Sequence, residues 1–270
     1  MIPLSLSYHT APELTPPEFV REAAAAGFDS VGARLLDGQP GRDLAPLMQN
    51  AAVRRETIAC LRDTGLRVLE ASSARLRPDT DMSAFAPFFE LAAELGARHI
   101  LASGDDPDQA RLVARFAELC ERARPLGLTI DLEFVPWMSV TDLGAAARIV
   151  RAVGQANFGI AVDALHFDRS HSRLAELAKL PRGWFRFVQL CDAPAAWTSD
   201  RDALIHAAVS ERLFPGEGAI DLVGLLQALP RELPIALEIP TSTLARTIPA
   251  AERLRRAVAA TRTVLAKAYG

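Results

Sequence analysis

Short apolar runs of strand length alternate with longer helical stretches from one end of this chain to the other. That rhythm leaves few folds open, because strands alternating with helices specify a parallel sheet with the helices outside it. Ile2–Ser7 reads as the first strand and Pro16–Ala26 as the first helix, with Pro16 and Pro17 at a helix start where a missing N–H costs little. Gly27 closes that helix before the strand Ser30–Ala33. A helical pattern over 42–64 ends at Gly65 and leads into strand Arg67–Ala71; helix 82–95 ends at Gly96 before strand His99–Ala102. Helix 107–124 precedes strand Leu128–Glu133, helix 140–153 precedes Phe158–Asp163, and a short helix near 171–178 precedes Phe185–Leu190. Helix 220–228, strand Ile235–Ile239 and a last helix over 249–268 complete eight strands and eight helices.

Eight such units in 270 residues predict a single (β/α)₈ TIM barrel spanning 1–270, since these barrels take roughly 250 residues. A doubly wound open sheet is the rival. It would be expected to carry a GxGxxG turn after the first strand, and this sequence has none there. No Gly/Ser linker or charge run marks a domain boundary. The stretch Cys191–Gly218 is long for a connection and ends in Phe-Pro-Gly-Glu-Gly; it reads as a loop over the catalytic face, with Trp197 inside it.

Four of the apolar runs end in an oxygen-bearing side chain: Glu133, Asp163, Gln189 and Glu238. In a parallel barrel the C-terminal strand ends converge on the face where chemistry takes place. Residues about a hundred positions apart therefore meet there. Acids at strand ends also serve as helix caps or salt-bridge partners, and for any one of them that role is open. Together they offer three carboxylates and an amide oxygen, a donor set suited to one divalent cation, Mn²⁺ or Mg²⁺ rather than Zn²⁺. His166, three residues after Asp163, is a candidate for substrate contact or proton transfer. Asp192, three residues after Gln189, is a candidate for binding a substrate hydroxyl or capping the loop, and Trp137 a candidate pocket wall. His9, Arg34 and Ser72 follow strands one to three and fall at the same mouth, whereas His99 begins a strand at the opposite end and reads as structural.

The net charge of −3, from 30 Lys and Arg against 33 acids, shows no basic stripe of the kind a nucleic-acid binder carries. Cys60, Cys120 and Cys191 make neither a disulfide framework nor a CxxC zinc site. No segment reaches the roughly 20 apolar residues of a membrane span, and the N-terminus lacks a signal-peptide pattern. A cytoplasmic protein without membrane or nucleic-acid partners is the expectation.

Glu133, Asp163 with His166, Gln189 with Asp192, Arg212 followed by Pro215-Gly216-Glu217-Gly218, and Glu238 resemble the xylose isomerase-like TIM-barrel superfamily over nearly the whole chain. The resemblance implies a cation held by Glu133, Asp163, Gln189 and Glu238, with His166 and Arg212 touching a small polyhydroxylated carbonyl substrate. It also implies a homodimer or homotetramer. Its non-nuclease members abstract a proton beside a carbonyl, the metal stabilising the enediolate as a Lewis acid, with Glu133, Glu238 or His166 as proton carriers. A sugar isomerase or epimerase is the leading expectation, and a 3-dehydroshikimate or inosose dehydratase the alternative. Many family epimerases have His where Gln189 stands, so Gln189 resembles the dehydratase type. The family's nuclease branch uses a His-rich zinc cluster, and of the five His here only His166 falls in the motif set.

Overall fold

The computed structural model describes residues 2–38, 40–196 and 198–270; Trp197 lies outside the described residues. Its elements run β1 (Leu4–Leu6), α1 (Pro16–Ala26), β2 (Ser30–Arg34), α2 (Pro46–Gln49), α3 (Ala51–Thr64), β3 (Arg67–Leu76), α4 (Ala86–Glu94), β4 (His99–Gly104) and α5 (Gln109–Ala123). The second half runs β5 (Thr129–Glu133), α6 (Leu143–Val153), β6 (Phe158–Asp163), α7 (Ala164–Arg169), α8 (Leu174–Leu177) and β7 (Val188–Leu190). It closes with α9 (Arg201–Ser210), α10 (Leu222–Ala228), β8 (Ile235–Leu237) and α11 (Ala250–Tyr269). The eight strands pair in chain order, all parallel, and β8 returns to β1, closing the barrel.

Side-chain alternation along each strand builds two separate interiors. One face of each strand packs against the helices in a continuous apolar layer that includes Leu4, Leu6, Ile130, Leu132, Ile235 and Leu237. The other face points into the barrel, where Leu69, Leu101, Ala161, Phe187 and Ala236 form their own cluster. Glu133, Asp163, Gln189 and Glu238 each lie two residues beyond an inward-facing residue, so the same alternation carries them to the C-terminal rim. At the opposite end, buried Asp131 accepts from Arg186 Nη1 at 2.8 Å and Thr129 Oγ1 at 2.7 Å, and His99 Nδ1 lies 2.8 Å from Thr129 Oγ1. His99 is thus part of the barrel floor, in line with its structural reading.

Local signals set the helix ends. Thr15 and Glu18 form a capping box at the start of α1, with Thr15 N donating to Glu18 Oε2 at 3.0 Å. Gly27 and Gly65 close α1 and α3 in the left-handed conformation, at φ 88° and 73°.

Two expectations are corrected. The described residues hold eleven α-helices rather than eight, because the 42–64 helix is interrupted at Asn50 and both α7 and α9 are additional. The stretch 191–218 is not an extended loop: α9 occupies its middle, started by Asp200, whose carboxylate accepts from Ala203 N at 2.9 Å. Its two arms are tied at their base by an antiparallel bridge between Asp192 and Leu213.

Candidate active site

A cavity of about 250 Å³ opens at the C-terminal mouth of the barrel, and Ser7, Glu70, Glu133, Trp137, His166, Arg212 and Glu238 are among its lining residues. A second cavity, of about 270 Å³, lies on the outer side of β2 against α1 and α3, but its lining is mainly apolar and lacks a convergent set of polar groups. The chemistry belongs to the first.

Asp163 ends β6 and is fully buried. Its Oδ1 accepts from the backbone N of His166 at 3.0 Å, so it caps α7, while Oδ2 accepts from Arg212 Nη1 at 2.6 Å. The cap and the site candidate are one residue. Burial works against its charge, yet the Arg212 guanidinium and His166 hold the carboxyl well below the usual carboxylate range. Arg212 is itself fixed by α9, donating from Nε to Ala208 O at 2.8 Å, and its Nη2 lies 3.3 Å from Glu238 Oε2. Glu238 follows β8; Gln189 Nε2 donates to its Oε2 at 2.9 Å and Ser7 Oγ to its Oε1 at 3.4 Å. Burial pushes the Glu238 carboxyl up to about 7, with Arg212 opposing and Asp163 reinforcing the shift. Glu133, the end of β5, is pushed well above the usual range by burial and by the charges of Glu238 and Asp163.

Glu133, Asp163 and His166 each present a ligand atom within 4.8 Å of the others. His166 stands edge-on to Trp137, ring centroids 5.2 Å apart, and burial lowers its imidazole to about 4, so the ring is neutral at pH 7. His166 Nδ1 and Gln189 Oε1 are buried without a hydrogen-bond partner. Two orphaned donor atoms beside mutually repelling carboxylates fit a bound dication, which would pair the first and relieve the second. The donor cluster thus includes His166, which sequence reasoning gave a substrate-contact or proton-transfer role. Cation binding must displace the protons that Glu133 and Glu238 retain. Affinity for Mn²⁺ is therefore expected to rise with pH through 7, by up to about tenfold per unit for each proton released. Calorimetric titration from pH 6 to 8 in buffers of different ionisation enthalpy checks both the slope and the proton count.

Of the two roles expected of Asp192, capping the loop is the one its bonds serve. It is absent from the cavity lining, and its carboxylate accepts three backbone N–H groups: Ala193 at 2.8 Å, Gly216 at 2.9 Å and Ile220 at 3.1 Å. Gly218 lets the chain pass, since a Cβ there would stand 2.4 Å from Asp192 Oδ1. Asp192 therefore shapes the arm that leads from α9 to α10. Asp192→Ala is expected to destabilise the fold by about 3 kcal/mol, the scale of charge-assisted bonds lost from a buried carboxylate, and thermal unfolding checks it.

Cys191 lies beside the site, its Sγ 3.4 Å from Arg212 Nη1, but burial pushes its thiol up to about 12, which leaves it unreactive. His9, Arg34 and Ser72 do line the mouth. Arg34 pairs with Asp37 and stacks 4.2 Å over the Tyr8 ring. Sequence reasoning missed Ser7, Glu70, Arg75, Arg77 and Ser103, all on this cavity. Of these, Ser7 and Ser103 carried a signal, since each extends the inward alternation of its strand.

Residues 20–264 match the xylose isomerase-like TIM barrel family. The chain belongs to that family. A 3-dehydroshikimate dehydratase of Pseudomonas aeruginosa is 30% identical over 230 residues, which are 78% of this chain and 33% of that protein. An inosose isomerase of Halalkalibacterium halodurans is 33% identical over 117 residues, 42% of this chain and 38% of that enzyme. The matched stretch thus spans from a third to about half the length of the curated relatives. A crystal structure of the IOLI protein with a bound zinc atom superposes with a TM-score of 0.80 over the whole of both chains, at 21% identity, a likeness of fold. The curated relatives are enzymes, and the barrel mouth of this family member gathers Glu133, Asp163, His166 and Glu238. No helix among the described residues is long and apolar enough to cross a membrane.

Proposed function

We propose that this barrel is a divalent-metal-dependent isomerase or epimerase that abstracts the proton next to a carbonyl in a small polyhydroxylated ketone. The observation that carries the reading is the juxtaposition of Glu133, Asp163 and His166 within 4.8 Å, with Gln189 Oε1 buried and unpaired beside Glu238. Glu133, Asp163, Gln189 and Glu238 would hold the cation, with His166 at its edge. A bound divalent cation supplies Lewis-acid polarisation of the substrate carbonyl. The predominance of oxygen donors supports Mn²⁺ or Mg²⁺, although the structurally similar IOLI protein carries zinc.

The chain's own groups divide the remaining work. Glu133 ends β5 and Glu238 follows β8, three strands apart around the mouth, and both titrate above the usual carboxylate range. Glu238, near 7, exchanges protons readily at neutral pH, and Glu133 is raised in the same direction, so one can remove the α-proton as the other returns one. Return to the opposite face gives an epimer; return at the neighbouring carbon gives an isomer. His166, neutral and with Nδ1 free of other bonds, can carry a proton to or from a substrate oxygen. Arg212 keeps Asp163 charged and orients Glu238. Trp137 walls the cavity against water.

A dehydratase is the second reading, favoured by the 30% identity to 3-dehydroshikimate dehydratase across 78% of this chain. The two share the α-proton step and differ in whether a β-hydroxyl then leaves. Incubation with Mn²⁺ in D₂O and a panel of ketoses, inososes and 3-dehydroshikimate tests both. Solvent deuterium at the α-carbon is expected for at least one compound. An isomeric sugar supports the first reading and an absorbing enone or aromatic acid the second; no exchange anywhere in the panel would contradict both.

A further inference from the structure

The mouth of the barrel is electrically divided. Glu133, Asp163 and Glu238 gather on the β5–β8 side, whereas Arg34, Arg75 and Arg77 line the cavity from β2, β3 and the residue after β3. The two sides are adjacent: Arg75 pairs in register with Ser103 on β4, and Ser103 with Glu133 on β5. Most of the positive charge is already engaged on one face. Arg34 is taken by Asp37 and Tyr8, and the Arg75 Nη2 by Asp105. What remains is open. Arg75 Nε is buried with no acceptor. No ion pair or side-chain hydrogen bond engages the Arg77 guanidinium among the described residues. Its backbone is nonetheless pinned, Arg77 N donating to Thr80 Oγ1 at 2.7 Å and Arg77 O accepting from Arg115. The hydroxyls of Ser72, Ser73 and Ser103 line the same wall.

A buried guanidinium N–H without an acceptor is a destabilising vacancy unless something fills it. Guanidinium groups match the paired oxygens of a carboxylate or phosphate better than any neutral hydroxyl. Two nearby acids bear on this. Asp37 is neutralised by Arg34, and burial pushes the Glu70 carboxyl up to about 8, so it does not cancel the positive side at neutral pH.

We propose that Arg75 and Arg77, with the Ser103 hydroxyl between them and the acidic side, form an oxyanion subsite that binds a carboxylate or phosphate on the substrate. The class of substrate is then a small polyhydroxylated carbonyl compound with one anionic end, its carbonyl toward Glu133 and Glu238 and its anion toward β3. This rests on the enolising reading of the site. A neutral cyclic polyol ketone or unsubstituted ketose leaves the arginines unpaired and is a poor substrate.

Calorimetric titration of the full chain with Mg²⁺ present, at low ionic strength and pH 7, tests the subsite with inorganic phosphate in one arm and acetate in the other. Saturable binding of at least one is expected, the tighter naming the anion, and Arg77→Met and Arg75→Met should each weaken it at least about tenfold with Mn²⁺ affinity unchanged. Arg77 is only partly buried and just past the strand, so its variant keeps the test informative if Arg75→Met does not fold. Failure of both anions to saturate, or binding that survives Arg77→Met, overturns the subsite. Absence of deuterium exchange in the substrate panel, with arginine-dependent anion binding intact, would overturn the enolising reading instead.

Discussion

Replacing Glu238 by Gln is expected to lower turnover by about 10²- to 10⁴-fold, the range of a lost general acid or base, with a smaller change in KM. The amide keeps the size of the side chain and one acceptor oxygen; because Ser7 and Gln189 donate to different oxygens of Glu238, one of those two bonds is lost while the packing volume is kept. What it removes is a group that changes charge near pH 7 and a carboxylate facing Arg212. Glu133→Gln should behave alike, because burial first, and then the charges of Glu238 and Asp163, raise its carboxyl as well. The pair also separates roles. If one carboxyl only removes the α-proton, its Gln variant loses deuterium uptake altogether. If it only returns the proton, uptake persists while product formation falls. Steady-state rates and deuterium uptake on one substrate, compared for both variants, read the division directly.

The second large effect runs toward greater stability. Glu70 is buried in the barrel wall at 2% exposure, and its Oε2 has no partner. Its side chain occupies space left by Gly32, where a Cβ would stand 2.2 Å from Glu70 Oε1. Burial, and then the charge of Glu238, raise this carboxyl to about 8 from 4.5. The sign follows from proton counting. Between those values the native state holds a proton that the unfolded chain has released, so stability falls as pH rises from about 4.5 and levels off above about 8. At 1.36 kcal/mol per unit, the loss at pH 7 is about 3 kcal/mol. Glu70→Gln, which cannot ionise, is expected to be more stable than the parent at pH 7 by an amount of that order and equal to it near pH 4. Urea unfolding at the two pH values measures the difference; equal stabilisation at both would show that Glu70 is not neutral in the native barrel.

The strand-end acids were legible because each closes a short apolar run of strand length, and the C-terminal ends of parallel barrel strands converge on one rim. Glu70 was not. Read as part of Arg67–Ala71 it is an isolated acid in a strand, and its inward direction depends on the irregular registers that β3 makes with both β2 and β4, which no local pattern encodes. β3 also continues to Leu76, which is what brings Arg75 to the mouth. Helix α9 was hidden for a different reason. It is rich in Ala with no apolar stripe, and it is framed by Pro194 and the Pro215-Gly216 turn, so composition reads as loop. Without α9, Arg212 looks like a loop residue, whereas Ala208 O anchors it over the site. Asp192 shows the limit of spacing arguments. Its place three residues after Gln189 left substrate binding and loop capping both open, and the capping partners at 216 and 220 are brought back by chain reversal. The Asp163-to-His166 interval, by contrast, is short enough for one helix cap to fix both side chains.

A divalent cation held at the barrel mouth by the strand-end side chains should be visible by direct titration. Titration of the metal-free chain with Mn²⁺, followed by calorimetry or by the loss of free-ion paramagnetic signal, tests it directly. One tight site per chain is expected, weakened at least about tenfold in each of Glu133→Gln, Asp163→Asn and Glu238→Gln, in line with the loss of a ligand from the metal. Unchanged Mn²⁺ affinity in Glu133→Gln and Glu238→Gln would contradict it.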